Sequence, residues 1–186
     1  MNTKKNVNKL NQLVGHAIFD WFPRDFPNKE KIVGEFCVLE KVDKNKHFND
    51  LYELFGPTSN PRTWTYLSLN ASQNREEFWN HLVKIENNNQ ETHYAILDKK
   101  EKKVLGSFAL VEIDQENGSV EVGYVIYSDK LKKTRMATEA QFLLMKYVFD
   151  ELGYRRYVWM SDSLNEDSKK AAKRLGFSFE GIFRNM

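Results

Sequence analysis

Residues 119–153, SVEVGYVIYSDKLKKTRMATEAQFLLMKYVFDELG, constrain the fold more than any other stretch, because they read as a strand, a basic turn and a long helix without a break. Val120, Val122, Tyr124 and Ile126 alternate with Glu121, Gly123, Val125 and Tyr127, the two-residue period of a strand in a β-branched and aromatic composition. Ala137, Ala140, Leu144, Val148 and Leu152 then make a helical stripe that Phe142, Met145 and Phe149 widen, and Gly153 suits its end. Such a unit crosses over to a parallel strand, for which 155–160 with Tyr157, Val158 and Trp159 is the candidate.

Two features inside this stretch point to a ligand. Gly123 interrupts the strand, and a glycine there marks a bulge or the close approach of another backbone, so the ladder is expected to open at Gly123. The turn carries Lys132, Lys133 and Arg135 into the helix start, where unpaired N–H groups and the positive helix end favour phosphate or pyrophosphate. An ordinary solvated basic turn before a buried helix fits the same residues.

Upstream, 35–39 reads as a first strand and 48–55 as a helix with Phe48, Leu51, Tyr52 and Phe55 on one side. Gly56-Pro57 and Asn60-Pro61 open a loop leading to Trp64, Tyr66 and Leu67, either a pocket border or rings packed on the core. An amphipathic helix follows over 74–86, then strands at 93–97 and 104–113, with Asn117-Gly118 as a hairpin signal before the strand at 119. A last helix is expected at 165–175, with Ala171, Ala172 and Leu175 inward, and a last strand at 177–183. The expected architecture is α+β: a mixed sheet, antiparallel first and then a parallel pair, with helices on both faces. Residues 1–34 read as an arm whose polar start, 1–12, is expected to be mobile, and 35–186 as one domain.

The net charge of +2 does not imply nucleic-acid binding through a basic face. Cys37, the only cysteine, lies between Phe36 and Val38 and reads as a small buried hydrophobe, which excludes intrachain disulfides and cysteine metal clusters. His16, His47, His81 and His93 lack metal-ligand spacing, so no metal is expected. No apolar run has the length of a membrane span and the start has no signal-type hydrophobic core, so a cytoplasmic protein is expected.

From residue 35 onward the chain resembles the GNAT superfamily of N-acetyltransferases, in particular the branch of ribosomal-protein N-terminal acetyltransferases. The resemblance rests on the order of EVGYVIY, the basic turn with TEA, and SLNEDSKKAAKRLGFSFEGIFR. It implies acetyl-coenzyme A as donor and a peptide or small-molecule amine as acceptor. Val125 and Ile126 would pair with the pantetheine, and Lys132, Lys133, Thr134, Arg135, Met136, Ala137 and Thr138 would hold the pyrophosphate. Asn165, Ser168, Leu175, Gly176 and Phe177 would form a wall of the coenzyme site. In the family's turn, Arg or Gln is followed by two variable residues, Gly, one variable residue, and Gly or Ala; Arg135 stands here at the first glycine. The family's fold carries one more strand after the one at 177–183, and this sequence shows none. Its place would fall to a neighbouring chain, which makes a homodimer possible, to the arm, or to nothing.

For acetyl transfer the resemblance requires a base, and Glu121 is the candidate, two residues before Gly123 on the same strand face; a solvent-facing strand glutamate is the plain alternative. Glu112 and Glu180 are weaker alternatives. Ser168 is the candidate donor to the leaving thiolate, although Asn165 and Ser168 also suit a helix N-cap and the N–H it satisfies. Tyr127 and Tyr157 are possible acids or packing residues. Two other readings stay open: a coenzyme-binding module without turnover, and a ribosome or RNA contact through Lys132, Lys133, Arg135, Lys169, Lys170 and Lys173.

Overall fold

The computed structural model describes residues 6–185. Residues 1–5, where mobility is expected, and Met186 lie outside the described residues. Six strands pair in chain order: β1 (Lys31–Val33), β2 (Cys37–Lys41), β3 (Thr92–Asp98), β4 (Val104–Asp114), β5 (Ser119–Tyr127) and β6 (Arg156–Val158). All neighbours are antiparallel except β5 and β6, which are joined through helix α3 (Arg135–Lys146) and run parallel. Helices α1 (Lys44–Phe55) and α2 (Arg75–Asn87) cover one face of the sheet. α3 covers the other, and α4 (Glu166–Arg174) follows β6.

Both faces of the central strands are therefore apolar. Leu39, Tyr94, Ile96, Phe108, Leu110 and Val122 meet Ala137, Ala140, Leu144 and Val148 under α3. Val38, Ala95, Leu97 and Ile126 meet Leu51, Phe55, Phe78 and Leu82 under α1 and α2. Burying each of the Val, Leu, Ile and Phe side chains among them stabilises the fold by about 1.5–3 kcal/mol. Cys37 is fully buried, and burial pushes its thiol far above the ordinary range, so it acts as the small hydrophobe its neighbours imply.

Several boundaries differ from the sequence reading for identifiable reasons. α1 begins at Lys44, before its apolar stripe, because Asp43 caps the N–H groups of Asn45 and Lys46. The α-helical part of α3 stops at Lys146 and passes into a π turn at Tyr147–Glu151. Phe142 and Phe149 do not widen the buried stripe: they are 60% and 41% exposed. The expected strand at 177–183 does not form. Its residues follow β6 only through side chains, with Phe177 stacked 5.7 Å from Tyr157 and Glu180 held by both guanidinium nitrogens of Arg156. Without backbone pairing, alternation alone does not make a strand.

The end of the arm, Lys31–Val33, pairs with β2 as edge strand β1. Trp21 donates to the Glu116 carbonyl at 2.7 Å and covers Gly118, whose φ of +60° and contact with the indole both demand glycine. Further on, the Thr92 and Tyr94 hydroxyls donate to the Pro27 and Lys29 carbonyls, and the Asn28 and Lys29 N–H groups donate to the Tyr147 hydroxyl.

On β2, Glu40 is only 7% exposed and is held by Lys46, by Lys31 at 2.9 Å and by His47 at 3.3 Å. Burial raises its pKa, but the hydrogen bonds from Lys46, Lys31 and His47 outweigh that and bring it down to about 2. The stability this adds is fully present above the ordinary value of 4.5 and is lost as the pH falls toward 2. Glu40→Gln should therefore cost about 1–3 kcal/mol at pH 7 and much less at pH 2, read from denaturant unfolding at both pH values.

Candidate active site

β5 and β6 pair over only three positions, ending at Glu121 opposite Val158. From Val122 to Tyr127 the edge of β5 that faces away from β4 has no backbone partner among the described residues. The opening comes from a bulge. Gly123 stays in the ladder opposite Ala109, and the next pair is Ile126 with Ser107, so Tyr124 and Val125 share one position of β4. The ladder thus breaks one residue after the expected Gly123. Tyr124 takes φ +48°, a costly conformation for a bulky residue, and is held there by stacking on His93 at 5.7 Å. Gly123 has a different use: a Cβ there would lie 3.0 Å from Val111 Cγ2, so glycine suits the close approach of the β4 side chain.

Glu121 lies on the sheet face opposite α3. Burial first, and the charge of Glu112 second, raise its pKa to about 7. No cation pairs with it among the described residues. Glu112 sits on a second bulge, at φ +46°, and is exposed. Glu180, the other alternative base, is occupied by Arg156, and that bond lowers its pKa.

At the open end of β5, Thr134 caps α3: its Oγ1 accepts from the Ala137 N–H at 3.1 Å and donates to the Leu131 carbonyl at 2.7 Å. The N–H groups of Arg135 and Met136 have no acceptor among the described residues. Lys132 pairs with Asp129 at 2.8 Å, whereas Lys133 and Arg135 have no carboxylate partner there. The only non-glycine residue of the turn with positive φ is Lys133, at +61°. Arg135 is an ordinary first helical residue, so replacing the family's glycine costs the backbone nothing at that position.

Asn165 caps α4 by accepting the Ser168 N–H at 3.1 Å, and the Ser168 hydroxyl accepts from Trp159 Nε1 at 2.8 Å. That leaves the hydroxyl proton free to be donated elsewhere. The loop before α2 reaches the segment between β6 and α4, where Tyr66 donates to the Leu164 carbonyl at 3.4 Å. Trp64 of the same loop packs edge-on against Phe55, 5.8 Å away. Tyr127 accepts from Gln141 at 2.9 Å and Tyr157 packs between Phe149 and Phe177; burial raises both hydroxyls, which remain neutral packing groups. Sequence reasoning missed Tyr124, His93 and Arg174, whose Nη1 donates to Thr138 Oγ1 at 2.8 Å. Only their three-dimensional neighbours reveal them.

An opened parallel pair beside an unpaired, cationic helix start is a groove for an extended ligand ending in phosphates. The model of the acetyltransferase (GNAT) domain family matches residues 38–178. The chain belongs to the GNAT family. A GCN5-related N-acetyltransferase from Brucella melitensis is 38% identical, with a TM-score of 0.85 over 90% of this chain and 76% of that one. An uncharacterized N-acetyltransferase, p20 of Bacillus licheniformis, is 32% identical over 96 residues, 52% of this chain and 53% of that protein. The aligned part thus spans about half the length of this curated relative. A ribosomal L7/L12 α-N-protein acetyltransferase, 20% identical with a TM-score of 0.69 over 83% of this chain and 84% of that one, shares the GNAT fold.

Proposed function

We propose that this GNAT protein transfers the acetyl group of acetyl-coenzyme A to a primary amine, a protein N-terminus or a small molecule, by direct attack within a ternary complex. The observation that carries the reading is Glu121: a partly buried carboxylate without a cation, at the point where β5 leaves β6. The residues fit the coenzyme. Val125 and Ile126 lie on the unpaired edge of β5, and Lys133, Thr134, Arg135, Met136, Ala137 and Thr138 form the helix start for its pyrophosphate, with Lys132 beside them. Asn165 and Ser168 close the far wall.

When bound, acetyl-coenzyme A supplies an activated acyl carbon: a C–N bond forms to the amine and the C–S bond breaks. Glu121 removes the proton the nitrogen loses, directly or through water, because a carboxylate near 7 is about half ionised at neutral pH and basic enough to accept it. Ser168 donates its hydroxyl hydrogen bond to the departing sulfur while Trp159 fixes the oxygen. The tests are titration calorimetry with acetyl-coenzyme A and thiol release over a panel of peptides, polyamines and aminoglycosides. Saturable binding with thiol release for at least one amine class is expected. Binding without release from any of them would favour a coenzyme-binding module, and no binding at all would overturn the reading.

A further inference from the structure

We propose that Glu139 is a positioning residue for the coenzyme: anchored in the turn between β1 and β2, it fixes the first turn of α3 against the sheet. This rests on the transferase reading above. Glu139 Oε1 accepts the Glu35 N–H at 2.5 Å, and Oε2 accepts those of Phe36 and Cys37 at 2.8 Å each. One carboxylate therefore satisfies three consecutive backbone donors that no strand partner reaches.

The turn is shaped for this group. A Cβ on Gly34 would lie 2.6 Å from Glu139 Cδ and 2.7 Å from Leu143 Cδ1, so a side chain there would displace the carboxyl and the leucine methyl beside it. On its other side the turn is tied to the β3–β4 connection by Lys99, whose Nζ donates to the Gly34 carbonyl at 2.8 Å and whose N–H donates to that of Phe36 at 3.0 Å. The anchor is thus rigid.

Glu139 acts on the helix start in particular. Farther along, α3 and the π turn that continues it are already fixed by Ala140, Leu144 and Val148 in the core and by Tyr147, which holds the arm. The first turn has fewer restraints: Ala137 is buried, Thr138 is bonded by Arg174 of α4, and Glu139 is bonded by the β1–β2 turn. Charge points the same way. A free carboxylate one turn from the phosphate-binding end would repel an anion, whereas three N–H donors disperse its charge and aim it at the sheet. Burial raises its pKa, but the bonds from Cys37, Glu35 and Phe36 outweigh that and keep it ionised.

Glu139→Gln has the same shape but puts an NH2 where an acceptor stood, so at least one N–H of the turn loses its partner. At 25 °C the variant should bind coenzyme A about tenfold more weakly by calorimetry, and the amides of Glu35, Phe36 and Cys37 should lose hydrogen-exchange protection. Leu51→Ala, in the core under α1, controls for lost stability and should bind coenzyme A as the wild type does. Gly34→Ala, which displaces the carboxyl without removing it, should reproduce the weakening and decides the matter if the Gln variant does not fold. Binding within twofold of wild type in Glu139→Gln or in Gly34→Ala, despite opened amides, would overturn the proposal alone. Failure of the wild type to bind coenzyme A would overturn it together with the transferase reading.

Discussion

Glu121→Gln is expected to lower acetyl transfer by about 100- to 10,000-fold while leaving coenzyme A affinity within twofold. The substitution keeps the shape of the side chain and removes only its capacity to take a proton. In the wild type, kcat/KM should climb with pH until the carboxyl ionises near 7, and that limb should vanish in the variant. Stability should move the opposite way. The folded-state pKa, raised by burial and by Glu112, lies above the ordinary 4.5, so the carboxyl favours folding below 4.5 and loses that contribution as pH rises through 7. The variant should therefore melt roughly 2–4 °C higher than wild type at pH 8 and show no such gain at pH 4. Unchanged turnover in Glu121→Gln would remove this residue from the mechanism, whatever its effect on melting.

The second large effect is expected at the other end of the groove. Reversing Lys133 and Arg135 together to Glu should weaken coenzyme A binding about 100-fold, roughly 2.7 kcal/mol. Two cations without carboxylate partners would be exchanged for anions beside the free N–H groups of Arg135 and Met136. The fold should survive, because acidic residues in a first helical turn complement the helix dipole. Raising salt should weaken the wild type more than the double variant. Equal affinities, measured at low salt by calorimetry, would show that the pyrophosphate does not lie at this helix start.

Much of this arrangement was legible in the amino-acid order because it depends on local rules. The alternation of Val120 and Val122 at the start of β5, the stripe under α3, the Asn117-Gly118 hairpin and the Asn165 cap all formed as residue type and spacing imply. What was not legible depends on partners distant in the chain. The bulge falls at Tyr124 rather than Gly123, where His93 stacks on the tyrosine in a conformation that its own neighbours disfavour. β1 is three residues long and exists through its pairing with β2, so no periodicity could announce it. The alternating FSFEGIF has the right pattern for a strand and lacks backbone pairing to become one. Glu139 reads as one more polar residue on a helix surface until the turn it anchors is in view.

The indole of Trp21 fills the space above Gly118 that any other residue would need. The two positions, far apart in the chain, therefore constrain each other's mutational history: Gly118 tolerates a side chain only after Trp21 has shrunk, and a smaller residue at position 21 bares the hairpin it shields. Descendants of this chain should change both or neither, and libraries that randomise one site at a time would misjudge how much variation the pair permits.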